Sequence, residues 1–142
     1  MLKGIPSILS PELLKILMEM GHGDEIVIAD GNFPSASIAH RLVRSDGNMV
    51  PEILEAVLTL FPLDKYVPKP VALMSLVPGE TYKPEIWDTY RAICTRQEHF
   101  TEFESVERFA FYERAKKAYA VVATSETALY ANIILKKGVV CK

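Results

Sequence analysis

Cysteine is scarce in this chain of 142 residues: Cys94 and Cys141 lie far apart, with no CxxC pair and no histidine beside either. They form neither a zinc signature nor the disulfide framework of a small secreted scaffold, and two reduced thiols are expected. Long apolar runs are also missing. The N-terminal stretch MLKGIPSILSPELLKILMEMG is interrupted by Pro6, Pro11, Lys15 and Glu19, unlike the apolar core of a signal peptide or the roughly 20 apolar residues of a membrane span. Neither sign of charge dominates: 16 Lys plus Arg face 18 Asp plus Glu, a formal charge of -2, with no run that would follow a phosphate backbone. A cytoplasmic protein with no membrane and no nucleic-acid partner is expected. The few glycines build no GxGxxG, no P-loop and no GxSxG elbow. Dinucleotide chemistry, phosphate transfer and serine hydrolysis therefore lose their usual sequence support.

What is present fits one folded domain spanning residues 1–142, because 49% of the residues are hydrophobic and 24% charged, enough to build a core without a disulfide or metal staple. Ser10-Pro11-Glu12 predicts a helix start, with a hydroxyl for free amides, a proline in the first turn and an acid at the positive end of the dipole. Leu13, Leu14, Leu17 and Met18 follow at helical spacing, and Gly21 predicts the stop. Glu25-Ile26-Val27-Ile28-Ala29 is apolar without alternation, the pattern of a strand covered on both faces. A loop, Asp30 to Pro34, follows at once. An ill-defined piece over 39–44 and a turn at Asp46-Gly47 lead to a helix from Pro51. Further helices are predicted over 84–94 and 109–118, and further strands at VALMSLV (71–77), AYAVVATS (118–125) and ANIILKKG (131–138). The alternation predicts an α/β fold, a single three-layer domain with helices packed on a central, mostly parallel sheet.

Sites in such sheets collect in loops beyond strand ends. One loop region offers His22, Asp24 and Asp30, and another offers Thr124, Ser125, Glu126, Tyr130 and Asn132. His22, between Gly21 and Gly23, suits a general acid/base, since an imidazole both accepts and releases a proton near neutrality. The same residues also read as a surface histidine at a helix stop and turn. Asp30 is either a carboxylate that orients the imidazole or holds a ligand hydroxyl, or a turn residue before Gly31. In RFAFYERA, Arg108, Tyr112, Glu113 and Arg114 make a polar and aromatic cluster. Its plain reading is a helix with Phe109 and Tyr112 toward the core and the charges toward water. Tyr130 and Asn132, either side of Ala131, share a face if the segment is extended, and would suit a polyhydroxylated ligand or sheet-edge packing. His22, His40 and His99 match no metal-ligand spacing, so no metal is expected.

Three blocks, LKGIPSILSPELLKILMEMGHGDEIVIADGNFPSASI, ILEAVLTLFPLDKYV and RFAFYERAKKAYAVVATSETALYANIILKKG, together resemble the ribose pyranase and fucose mutarotase family, and within it the fucose branch. The resemblance runs nearly end to end and is weakest over 79–104. It implies a sugar isomerase that uses no cofactor or metal and speeds exchange between the anomers of free L-fucose. Related members exchange the ring forms of ribose. It places the proton-donating histidine on His22 and sugar contacts on Asp30, Arg108, Tyr130, Ala131 and Asn132. Arg108 favours fucose, because ribose pyranases resemble one another in carrying histidine there. Ala131 and Ser125 stand where the family frequently has glycine. A homo-oligomer, commonly a decameric ring with clefts near subunit contacts, is also implied. A ribose-type isomerase and a non-catalytic sugar-binding or regulatory subunit are the competing readings, with a purely structural ring as a third.

Overall fold

A computed structural model describes residues 1–142. Helix α1 (Pro11–Glu19) begins as its sequence dictates, with Ser10 Oγ accepting from Leu13 N at 3.1 Å and Pro11 in the first turn. Its Leu13, Ile16 and Leu17 are buried. The chain then turns through Gly23, at φ 87°, into strand β1 (Glu25–Ala29). There follow α2 (Ser35–Ile38), β2 (Leu42–Ser45), α3 (Val50–Leu60), β3 (Val71–Met74), α4 (Ile86–Cys94), β4 (Glu104–Val106), α5 (Arg108–Lys117), β5 (Ala120–Thr124) and β6 (Ile133–Lys136). No helix is long and apolar enough to cross a membrane.

The six strands form one sheet in the order β2-β5-β1-β6-β3-β4. Strands β2, β5 and β1 pair in parallel, as do β3 and β4, while β6 is antiparallel to both β1 and β3 and joins the two groups. Five strands therefore run one way and only β6 runs back. The unbroken apolar character of β1 has a direct cause. Ile26 and Ile28 enter a cluster with Leu13 of α1, Ile53 of α3 and Tyr90 of α4, whereas Val27 and Ala29 enter a second cluster with Phe111 and Ala115 of α5. Both faces are covered, which gives the expected three layers.

The edges of the sheet differ from the sequence reading. The segment 39–44 ends in a true strand, β2, but only Val43 of its four residues is buried, so the pattern carries almost no apolar signal. The other edge strand, β4, is three residues long and was not anticipated, nor was the single turn of α2. Strand β3 stops at Met74 rather than running to Val77; beyond it Ser75 still reaches Val106 O through both its amide, at 2.8 Å, and its hydroxyl, at 3.1 Å.

One consequence of this topology governs the site. Residues after β1, β3 and β4 and residues before β6 meet at a single edge of the sheet. Residues before β1, such as His22, lie at the opposite edge, about 17 Å away along a five-residue strand.

Candidate functional site

At the carboxyl edge of the sheet lies a cleft of about 320 Å³, lined by Asp30, Phe33, Met74, Arg108, Tyr112, Tyr130 and Asn132 among others. Four of them stand at a strand end or within two residues of one. Asp30 leaves β1, Met74 closes β3, Arg108 opens α5 directly after β4, and Asn132 enters β6.

Asp30 is 7% exposed and is the turn residue its sequence allowed, set at the border of the cleft. Its Oδ1 accepts from the amides of Asn32 and Phe33, each at 2.9 Å, which makes the turn, and the residue also faces the cleft. Burial raises its carboxyl pKa, against the opposing pull of the Asn32, Phe33 and Ala131 amides and the Asn132 side chain. Asn132, 6% exposed, accepts from Asp30 N through Oδ1 at 2.8 Å. That bond assigns the orientation of the carboxamide and leaves its NH2 as a donor.

Arg108 Nε donates to the Tyr112 hydroxyl at 3.2 Å, and its guanidinium lies 5.5 Å from the Tyr112 ring centre. Glu107 caps this helix, accepting from the amides of Phe109 and Ala110, so Arg108 is presented from a fixed first turn. The plain reading of RFAFYERA needs correction here. Phe109 is 66% exposed, while Phe111 and Ala115 supply the buried face. Tyr112, half-buried, packs edge-on against Phe33 at 5.6 Å and borders the cleft. Arg114 does not simply face water: it binds Glu25 Oε2 at 2.6 Å and Glu104 Oε2 at 2.8 Å.

Tyr130 and Asn132 both line the cleft, though not because the segment is extended. Tyr130 has φ 57°, and β6 begins only at Ile133. Ala131 is wholly buried and does not line the cleft; its carbonyl accepts from the Tyr90 hydroxyl at 2.6 Å. The neighbouring polar residues brace the loops. Thr124 Oγ1 donates to Ala29 O at 2.7 Å, and Ser125 Oγ accepts from Gly47 N at 2.7 Å. The buried carboxylate of Glu126 takes the amides of Val50, Thr127 and Ala128. Asp24 caps Gly21 N at 2.8 Å, which is turn chemistry.

His22 stands apart from this group. Its Nε2 lies 3.0 Å from Oδ1 of Asp64, and its ring is tilted against Tyr66 at 5.4 Å. Asp64 is 3% exposed, and its Oδ1 also accepts from Tyr66 N at 3.0 Å. Burial works to raise the Asp64 pKa, but the Tyr66 amide, the His22 imidazole and Lys136 together hold it below the usual carboxylate range. Asp30 therefore does not orient the imidazole; Asp64 does. Sequence reasoning passed over Asp64, whose burial and partner arise only in the fold, from a histidine 42 residues earlier. It passed over Met74 as a cleft residue as well.

The sheet, a cleft at its carboxyl edge that sets polar side chains among apolar ones, and the histidine–carboxylate pair at the other edge define a small α/β protein with a ligand-sized site. The chain belongs to the RbsD / FucU transport protein family, whose profile matches residues 3–140. It is 54% identical over 144 residues to the fucose mutarotase of Homo sapiens, covering 97% of this chain and 94% of that one. It is 53% identical over 140 residues to an L-fucose mutarotase of Actinobacillus pleuropneumoniae, covering 98% and 97%. The fold matches a crystal structure of the fucose mutarotase in complex with L-fucose from Streptococcus pneumoniae, with TM-score 0.92, 56% identity and coverage of 99% and 100%. It matches the Bacillus subtilis RbsD complexed with D-ribose less closely, with TM-score 0.76, 26% identity and coverage of 99% and 100%.

Proposed function

We propose that this protein is an L-fucose mutarotase, an isomerase that interconverts the α and β anomers of the free sugar. The observation that carries the reading is the likeness, at 56% identity and over 99% of the chain, to a fucose mutarotase whose structure holds L-fucose. The cleft supports it with a carboxylate, a carboxamide, a guanidinium and two phenols in one space, a donor and acceptor set suited to a ring of hydroxyls. The 26% identity to the ribose-bound relative, and an arginine rather than a histidine at position 108, favour fucose over ribose.

Mutarotation removes a proton from the anomeric hydroxyl, breaks the bond between C1 and the ring oxygen, and delivers a proton to that oxygen. The open-chain aldehyde rotates about C1–C2 and closes on either face, with both protons returned. We assign the ring-oxygen proton to His22. Asp30, a carboxylate whose pKa burial raises, is the base for the anomeric proton. Arg108, Tyr130 and Asn132 hold hydroxyls, and Ala131 sets the backbone between the last two. Water alone performs this reaction slowly, so the 10²–10⁴-fold typical of one positioned acid/base is of the right size.

Within one chain His22 and Asp30 sit at opposite edges of the sheet. The reading therefore requires a homo-oligomer in which His22 of one subunit enters the cleft of the next, and a ring, decameric in the resemblance, meets that requirement. Two unpaired thiols, one buried at Cys94 and one exposed at Cys141, suit a reducing cytoplasm.

Saturation transfer between the two anomers of L-fucose is the test. Exchange well above buffer that falls sharply in His22→Gln, with sugar binding retained, supports the assignment. Binding without acceleration in the parent protein would instead make it a sugar-binding subunit.

A further inference from the structure

We infer that Trp87 and Tyr90 of α4 are positioning residues, which hold the Tyr130–Asn132 segment in its sugar-reading geometry by gripping two consecutive main-chain carbonyls. The inference rests on the mutarotase reading of the cleft and adds to it a part of the chain that the resemblance covers least.

Tyr130 is the chain's only non-glycine residue at positive φ, 57°. A bulky side chain pays for the left-handed region, and it stays there only where its surroundings over-determine it. The Trp87 indole N–H donates to Tyr130 O at 2.8 Å, and the Tyr90 hydroxyl donates to Ala131 O at 2.6 Å. Positions 87 and 90 are three apart on α4, so both donors leave one helix face. The Tyr82 ring, in the loop before α4, stacks on the Tyr130 ring at 6.4 Å and 28°. Neither Trp87 nor Tyr90 lines the cleft, so they act through the segment and do not touch a ligand.

Tyr90 is wholly buried, and burial pushes its phenol far above the ordinary value, so it remains a donor throughout the physiological range. The net worth of one or two neutral hydrogen bonds is of the same order as the strain of a left-handed residue. Loss of either donor would therefore let the segment relax. The effect reaches Asp30 as well, because Asn132 Oδ1 takes the Asp30 amide at 2.8 Å.

Trp87→Phe and Tyr90→Phe each remove one donor and keep the ring. Each is expected to lower kcat/KM for L-fucose exchange about tenfold, partly through a higher KM, since misplacement by a fraction of an ångström is costly at a reacting centre. Ile16→Val, in the same core but on α1 rather than on the helix that carries the clamp, should lose some stability and leave exchange unchanged. Trp87 is the only tryptophan, so parental emission should respond to L-fucose, and the response should weaken in Tyr90→Phe. The amide resonances of Asp30 and Asn132 should also move in Tyr90→Phe. Folded single variants with parental kcat, KM and amide positions overturn the inference. If the parent accelerates no sugar, the mutarotase reading fails separately, and unmoved Asp30 and Asn132 amides in Tyr90→Phe still overturn the clamp.

Discussion

His22 Nε2 lies 3.0 Å from Asp64 Oδ1, joining an imidazole that is 45% exposed to a carboxylate side chain that is 4% exposed. An ionised carboxylate only accepts, so Nε2 carries the proton of the neutral ring and Nδ1 is the free nitrogen. A buried acid behind a half-exposed imidazole is the arrangement that fixes a tautomer and its orientation in hydrolytic triads. Here it presents His22 outward, at the end of the sheet remote from the chain's own cleft.

Asp64→Asn tests this pairing. Because Oδ1 alone takes both Tyr66 N and His22 Nε2, the amide oxygen of the variant keeps both bonds and the Nε2–H tautomer, and what is lost is the negative charge that stabilises the ring when it carries its second proton. L-fucose exchange is expected to fall about 10- to 100-fold, within the range one acid/base supplies, with KM little changed. Nitrogen NMR of His22 reads the tautomer directly. The parental tautomer is expected, and a parental rate beside it would remove the Asp64 charge from any role in the proton transfer.

The distance between His22 and Asp30 predicts complementation between subunits. His22→Gln and Asp30→Asn proteins, each nearly inactive alone, should regain activity when unfolded together and reassembled. In a randomly mixed ring, about a quarter of the clefts would pair an intact Asp30 with an intact neighbouring His22. Recovery near that fraction places the two groups on different subunits. No recovery, in mixtures shown by mass to be hybrid, would contradict a shared cleft.

Asp30 and Asp64 should affect stability with opposite signs. Both start from an ordinary pKa of 3.8, but Asp30 is raised in the fold by burial, while the Tyr66 amide, His22 and Lys136 hold Asp64 below it despite burial. A raised carboxyl binds more protons folded than unfolded, so its ionisation costs stability as pH climbs through the folded value. Asp30→Asn should therefore have a higher Tm than the parent at pH 7, with a gain that shrinks as pH falls and vanishes below 3.8. A lowered carboxyl contributes stability that is full above 3.8 and lost only as pH falls through its folded value. Asp64→Asn should accordingly melt below the parent across pH 5 to 8. Thermal melts over this range decide both signs, and an Asp30→Asn protein less stable than the parent at pH 7 would show that its hydrogen bonds outweigh its burial.

The central strands were legible because their chemistry is local. Ile26 and Val27 face opposite layers, and only a strand buried on both sides needs apolar residues at both. The edge strand β2 has no such need: Leu42 and Arg44 are exposed, and Arg44 is tied to Asp46 at 2.9 Å, so pairing with β5 alone makes it a strand. The same limit applied to the site. Asp30 and Asn132 stand at strand ends and were readable there, but Asp64 acquires its meaning from His22, 42 residues earlier, and no local pattern shows that contact. The position of His22 depends on strand direction. The sequence placed it in a loop before β1 but said nothing of which edge that loop occupies.

Arg114 supplies a last test, at a helix surface that periodicity alone assigned to solvent. Its guanidinium is 23% exposed and bridges Glu25, 15% exposed, and Glu104, 43% exposed, tying α5 to the first residue of β1 and to edge strand β4. The bond to Glu25 leads the causes that raise its pKa. Truncation by Arg114→Ala leaves the mostly buried Glu25 carboxylate without its cation, and such a loss costs about 3–5 kcal/mol when both groups are fully buried. Partial exposure reduces this, and about 2 kcal/mol is expected. Arg114→Met combined with Glu25→Leu should recover much of the loss, because an apolar pair of similar volume replaces the ion pair without stranding a charge. Urea denaturation of the three proteins at constant slope measures both steps. A single variant as stable as the parent would mean that Lys136, the antiparallel register partner of Glu25, takes over as its counter-ion.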